Sequence, residues 1–122
     1  MKNKFLNEMQ SRGFLNQCTD IGNLAKICDK KPISAYIGFD CTAKSLHVGS
    51  LMQIMILRLL QKHGHRPIIL LGGGTTLIGD PSGKDSTRKI LNENEIKDNT
   101  ESIKKIFKRI LDFSNKATKP IF

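Results

Sequence analysis

Two short apolar runs, Ser34-Ala35-Tyr36-Ile37-Gly38-Phe39 and Ile68-Ile69-Leu70-Leu71, flank a single amphipathic stretch that ends at Lys62. No other feature constrains the fold so tightly. The second run is uniformly apolar, as expected of a parallel strand covered on both faces. Strand, helix and strand in about the length of one crossover predict a right-handed βαβ unit. His63-Gly64 supplies a left-handed helix cap, and Pro67 forbids continuation of the helix. The class is α/β.

The remaining segments read as helices. Lys2 to Arg12 place Phe5, Leu6 and Met9 on one stripe, with Gly13 as the stop. Thr19 or Asp20 caps a second helix that carries Leu24, Ile27 and Cys28, and Pro32 ends it and introduces the first strand. Asn92 caps a later helix with Glu95 reaching back in a capping box; its buried stripe is Ile96, Ile103, Phe107, Ile110 and Leu111. At 122 residues the chain buries one modest core. It divides into a helical segment, residues 1–31, and an α/β part, residues 32–122. The ending Lys119-Pro120-Ile121-Phe122 has no helix stop and no polar tail, as expected of a fragment or an interrupted gene.

Between the first strand and its helix lies Cys41-Thr42-Ala43-Lys44-Ser45-Leu46-His47-Val48-Gly49-Ser50. The first turn of a helix offers unpaired N–H groups and the positive end of the macrodipole, which favour a triphosphate. Gly49 would let a nucleotide lie against bare backbone. The His47 imidazole can donate to phosphoryl oxygens as charge develops. The same residues also suit an ordinary strand–loop–helix turn with a surface histidine, and spacing alone leaves both readings open. The glycines after the second strand match no standard phosphate loop. A P-loop would need glycine at Ile78 and a hydroxyl at Asp85, and a dinucleotide fingerprint would need glycine at Leu77. What remains is a turn at the carboxyl end of a parallel strand. Ligands bind at such turns in open α/β sheets, and chain reversal also uses them.

Composition narrows the classes further. A formal charge of +9 attracts RNA or triphosphate at long range, while the abundance of Lys, Asn and Ile offers a plain compositional source for it. Cys18, Cys28 and Cys41 have no paired spacing and no neighbouring histidine, so they read as reduced thiols rather than metal ligands or disulfides. No signal peptide is legible, and the longest apolar runs are too short to span a membrane. A cytoplasmic protein with no membrane partner and no bound metal is expected.

From Tyr36 through Leu51, the sequence resembles the signature of bacterial and organellar tyrosyl-tRNA synthetases. Gly64-His65-Arg66-Pro67 and the run Gly72 to Lys84 are similar to the same family's next block, and Arg12 to Asp20 to its opening. The likeness covers most of the chain in order. There are two departures: Cys41 stands where proline is usual, and Ser50 replaces the second histidine.

The resemblance implies the N-terminal half of a Rossmann-like (HUP-type) parallel-sheet nucleotide-binding domain preceded by short helices, the half beginning at residue 32. It implies ATP-dependent activation of L-tyrosine, ATP entering as its Mg²⁺ complex, and transfer to tRNA(Tyr). It also implies a homodimer in the full-length enzyme. Gly38, Asp40, Thr42, His47, Gly49 and Ser50 match the ATP site, with catalytic roles for Thr42, His47 and Ser50. Lys84 and Arg88 match cations that meet departing pyrophosphate; as a charged loop they would simply be solvated. Asp80 matches the carboxylate that holds the tyrosine ammonium, a charge-assisted contact, and Thr75 a second tyrosine contact. Tyr36 matches the residue that meets the substrate phenol, whereas periodicity alone places it as a strand aromatic in the core. The isolated chain lacks the second half of that site and is expected to be inactive. Two alternatives remain: a non-catalytic remnant that binds RNA or a protein partner through its basic surface, and another His-x-Gly nucleotidyl-transferring enzyme.

Overall fold

The computed structural model describes residues 2–72 and 93–122. Helix α1 (Lys4–Ser11) and helix α2 (Ile21–Lys30) lead into strand β1 (Ser34–Phe39). Helix α3 (Val48–Lys62), strand β2 (Arg66–Leu71) and helix α4 (Glu93–Ile110) follow. Asn92 and the glycine-rich run from Gly73 to Lys84, to which the sequence reading gave a cap and a ligand turn, lie outside the described residues.

Local signals account for the ends of these elements. The Asn3 side chain accepts from Leu6 N–H, and Asp20 accepts from Asn23 N–H, so both short helices have an N-cap acceptor. At the far end of α1, Gly13 takes φ 79°, Phe14 N–H bonds Met9 O and Gly13 N–H bonds Gln10 O. The end of α3 repeats this: Gly64 has φ 85°, His65 N–H bonds Leu60 O, and Gly64 N–H bonds Gln61 O. Both are Schellman caps, which need a left-handed residue that glycine adopts without strain.

β1 and β2 pair in parallel, Ser34 opposite Arg66 through Phe39 opposite Leu71. Ile121 extends the ladder on the far side of β2 by bonding Ile69 N–H and Pro67 O. One core holds Phe39, Cys41, Ile54, Leu57, Ile69, Ile96, Ile103 and Phe107 between the sheet, α3 and α4. A second, of Phe5, Leu6, Cys28, Leu59 and Leu60, packs α1 and α2 against the end of α3. α3 thus serves both cores. Its polar residues fasten the chain that follows α4: Arg58 donates to Ile110 O, and Gln61 donates to Asp112 O and Thr118 O while accepting from Asp112 N–H. Glu8 joins α1 to the end of α3 through His63 at 2.9 Å and Lys62 at 3.0 Å, and these contacts hold its carboxyl below the usual carboxylate range.

Three expectations need correction. β2 is not covered on both faces: Leu70 is 52 % exposed, and beside it Tyr36 of β1 is 67 % exposed. The strands alternate, so Ile37, Phe39 and Ile69 turn to the helices while Tyr36 and Leu70 turn away. For the same reason Tyr36 is not a core aromatic. In α2 the packed stripe is Ile21, Leu24, Ala25 and Cys28, which leaves Ile27 on the exposed side.

Candidate functional site

The site is built where β1 ends and α3 begins. Beyond Phe39 the chain leaves the sheet, and Cys41 plugs into the main core at 0 % exposure. Its neighbours Asp40 and Thr42 are left on the solvent side. The loop then returns to His47, the N-cap of α3. Between these arms lies an open pocket of about 580 Å³, lined by Gly38, Asp40, Thr42, His47, Ser50 and Gln53 among others.

His47 caps the helix with its own ring. Gly49 N–H donates to His47 Nδ1 at 3.0 Å, and Ser50 N–H donates to His47 O. With Nδ1 accepting, the neutral ring carries its proton on Nε2, which is left as a donor for a ligand. Gly49 therefore serves its neighbour first: a Cβ there would stand 2.9 Å from His47 Cε1. The bare backbone that the sequence reading reserved for a nucleotide is occupied by the imidazole. The Gly49 and Ser50 amides of that first turn are likewise engaged within it, which leaves the macrodipole and Nε2–H to attract an anion.

Five of the residues singled out in the sequence line this pocket: Gly38, Asp40, Thr42, His47 and Ser50. Gly49 lies in the helix turn beneath it. Tyr36 is not among the lining residues and stands on the uncovered sheet face, the face that also carries Gly38. Thr75, Asp80, Lys84 and Arg88 lie outside the described residues. Gln53 was missed, although its spacing of three from Ser50 on a helix could have found it. Ala43 and Ser45 also contribute to the wall. The pocket thus combines a ring N–H donor, hydroxyls, one carboxylate and a helix N-terminus. That set suits positioning and charge stabilisation of a phosphorylated ligand, and it contains no nucleophile–base pair. Among the described residues no cluster of three or more His, Cys, Asp or Glu could hold a metal ion, and no helix is long and apolar enough to cross a membrane.

Residues 26–121 match the family described as tRNA synthetases class I (W and Y). Over 120 residues the chain is 67 % identical to the tyrosine–tRNA ligase of Pelagibacter ubique, covering 98 % of this chain and 29 % of that protein. Over 109 residues it is 61 % identical to the tyrosine–tRNA ligase of Rickettsia prowazekii, covering 89 % of this chain and 26 % of that protein. Among solved structures it resembles a C-terminally truncated mitochondrial tyrosyl-tRNA synthetase from Coccidioides posadasii. The TM-score is 0.76 at 27 % identity, over 98 % of this chain and 35 % of that one. The corresponding protein from Aspergillus nidulans shares the fold, with a TM-score of 0.78 at 24 % identity over 99 % of this chain and 37 % of that one. The chain spans less than a third of the length of the curated relatives it matches.

Proposed function

This chain belongs to the class I tRNA synthetases of the W and Y group, and on that premise we propose that it is the N-terminal part of a tyrosine–tRNA ligase, carrying the nucleotide side of the amino-acid activation site. The observation that carries this reading is the pocket at the end of β1, where Asp40, Thr42, His47 and Ser50 converge on the α3 N-terminus. In the reaction, a carboxylate oxygen of L-tyrosine attacks the α-phosphorus of ATP. The bond to the bridging oxygen breaks, giving tyrosyl-adenylate and pyrophosphate. The tyrosyl group then passes to the 3′ end of tRNA(Tyr). Mg²⁺ enters with ATP and offsets its negative charge. His47 Nε2–H donates to phosphoryl oxygens as charge builds there, and the substrate carboxylate supplies the nucleophile.

We assign the tyrosine side to Asp80, Thr75 and Tyr36, and the pyrophosphate to Lys84 and Arg88. The exposure of Tyr36 supports its part, since its hydroxyl is open to a ligand rather than packed in the core. A homodimeric full-length enzyme in the cytoplasm completes the proposal, with residues 1–31 as its helical lead-in and 32–122 as the first half of its catalytic domain.

The test is a chimaera in which this chain replaces its 67 % identical counterpart in the Pelagibacter ubique ligase. Tyrosine-dependent ATP–pyrophosphate exchange is expected, abolished by Asp80→Ala. A folded chimaera without exchange, beside an active parent, overturns the proposal. The charge of +9 favours one second reading, a non-catalytic RNA binder. That reading predicts salt-sensitive RNA binding by the chain and no exchange by the chimaera.

A further inference from the structure

The buried stripe of α4 has one polar member. Ile96, Ile103 and Phe107 share it with Asn99, which is 7 % exposed. A carboxamide in such a position costs free energy unless it is bonded, and an aliphatic side chain would fill the space without that cost. Asn99 Nδ2–H donates to the backbone carbonyl of Cys41 at 3.0 Å, across 58 residues of chain. Cys41 is the residue of the loop that is anchored in the core. Asp40 before it and Thr42 after it both line the pocket. Anything that fixes the Cys41 peptide therefore fixes how far these two side chains reach toward the ligand.

We propose that Asn99 is a positioning residue of the pocket: its bond to the Cys41 carbonyl sets the turn Asp40–Thr42 against His47 without touching the ligand. The inference rests on reading the pocket as a nucleotide site, and goes beyond it by giving α4 a part in nucleotide affinity. A hydrogen bond also fixes direction, which apolar packing does not.

The experiment uses the full chain, ¹⁵N-labelled, and compares wild type with Asn99→Leu, which keeps the bulk and loses the donor. Ile103→Val is the control: it weakens the same stripe one turn on but carries no polar contact to the loop. Amide resonances of residues 40–42 report the turn, ATP titration followed at Gly38 and Gly49 reports affinity, and urea unfolding reports stability. In Asn99→Leu the resonances of residues 40–42 are expected to move, and ATP affinity to fall about tenfold. In Ile103→Val affinity stays within about twofold despite the lost methyl. Resonances that stay in place in Asn99→Leu overturn the role whatever ATP does. So does unchanged ATP affinity beside moved resonances, or an equal loss in Ile103→Val at matched stability. If the wild-type chain takes up no ATP while residues 40–42 move in Asn99→Leu, the nucleotide reading falls and the positioning of the turn stands.

Discussion

A methyl group at position 49 would meet His47 Cε1 at 2.9 Å and Nδ1 at 3.0 Å, closer than carbon atoms rest against a ring. Gly49→Ala must therefore push the imidazole off its cap, breaking the bond to its own helix and re-aiming Nε2. In the chimaera, pre-steady-state adenylate formation is expected to slow about 10- to 100-fold in Gly49→Ala, close to the effect of His47→Ala. Ser50→Ala, which removes one uncharged hydroxyl, should cost less than either. A Gly49→Ala enzyme with wild-type rates would show that the ring does not act from the position described.

His65 gives a pH prediction of definite sign. Burial first, and then neighbouring His63, push its imidazole below the ordinary value of 6.5. Its Nδ1 accepts from Ile33 N–H at 3.1 Å, a bond available only to the unprotonated nitrogen, and its ring packs edge-on to Phe5. As the pH drops below 6.5 the unfolded chain takes up this proton before the folded one does, so stability falls through that window. Urea unfolding between pH 7 and pH 5 should show the loss. His65→Gln, which keeps an acceptor and cannot titrate, should reduce that slope. An unchanged slope in the variant would assign the acid sensitivity to other groups.

α3 is held at both ends by different means. Its start is capped by the His47 ring, whereas its end is closed by Gly64 and stitched to the C-terminal segment by Gln61. Gln61 makes three bonds to backbone groups of Asp112 and Thr118, spending both donor and acceptor capacity on one short turn. Gln61→Leu keeps much of the volume and strands those groups. A stability loss of about 2 kcal/mol is expected in urea unfolding, since the Thr118 carbonyl is buried, a stranded buried group costs about 1–3 kcal/mol, and the part-buried Asp112 groups can turn to water. A loss under about 0.5 kcal/mol would mean that water replaces the side chain at no cost.

Among the described residues the packing is lopsided. The helices pack on the side of the sheet that carries Ile37, Phe39 and Ile69, while Tyr36 and Leu70 stand on the other side open to solvent. No strand among the described residues pairs with the outer edge of β1. Exposed apolar surface beside an open parallel edge favours self-association. Sedimentation velocity of the chain should show concentration-dependent association that Leu70→Lys reduces without changing the far-ultraviolet spectrum. Equal association in that variant would clear this face. The chain by itself, spanning less than a third of its curated relatives' length, should show no tyrosine-dependent exchange.

The amino-acid sequence by itself determined the local structure and the family. Gly13, Asp20 and Gly64 mark helix ends through their own backbone and side-chain chemistry, within a few residues, and so can be read without a partner. The apolar runs show two strands for the same reason, and the residues Tyr36 to Leu51 carry the family likeness, with departures at Cys41 and Ser50. Only the tertiary structure decided which strand face is buried, because period-two alternation distinguishes two faces without saying which one the helices cover; periodicity alone put Tyr36 in the core on that account. It also decided that Gly49 makes room for a ring and that Asn99 reaches Cys41. Each of these depends on a side chain's direction or on a contact between segments distant in the chain, which sequence spacing does not encode.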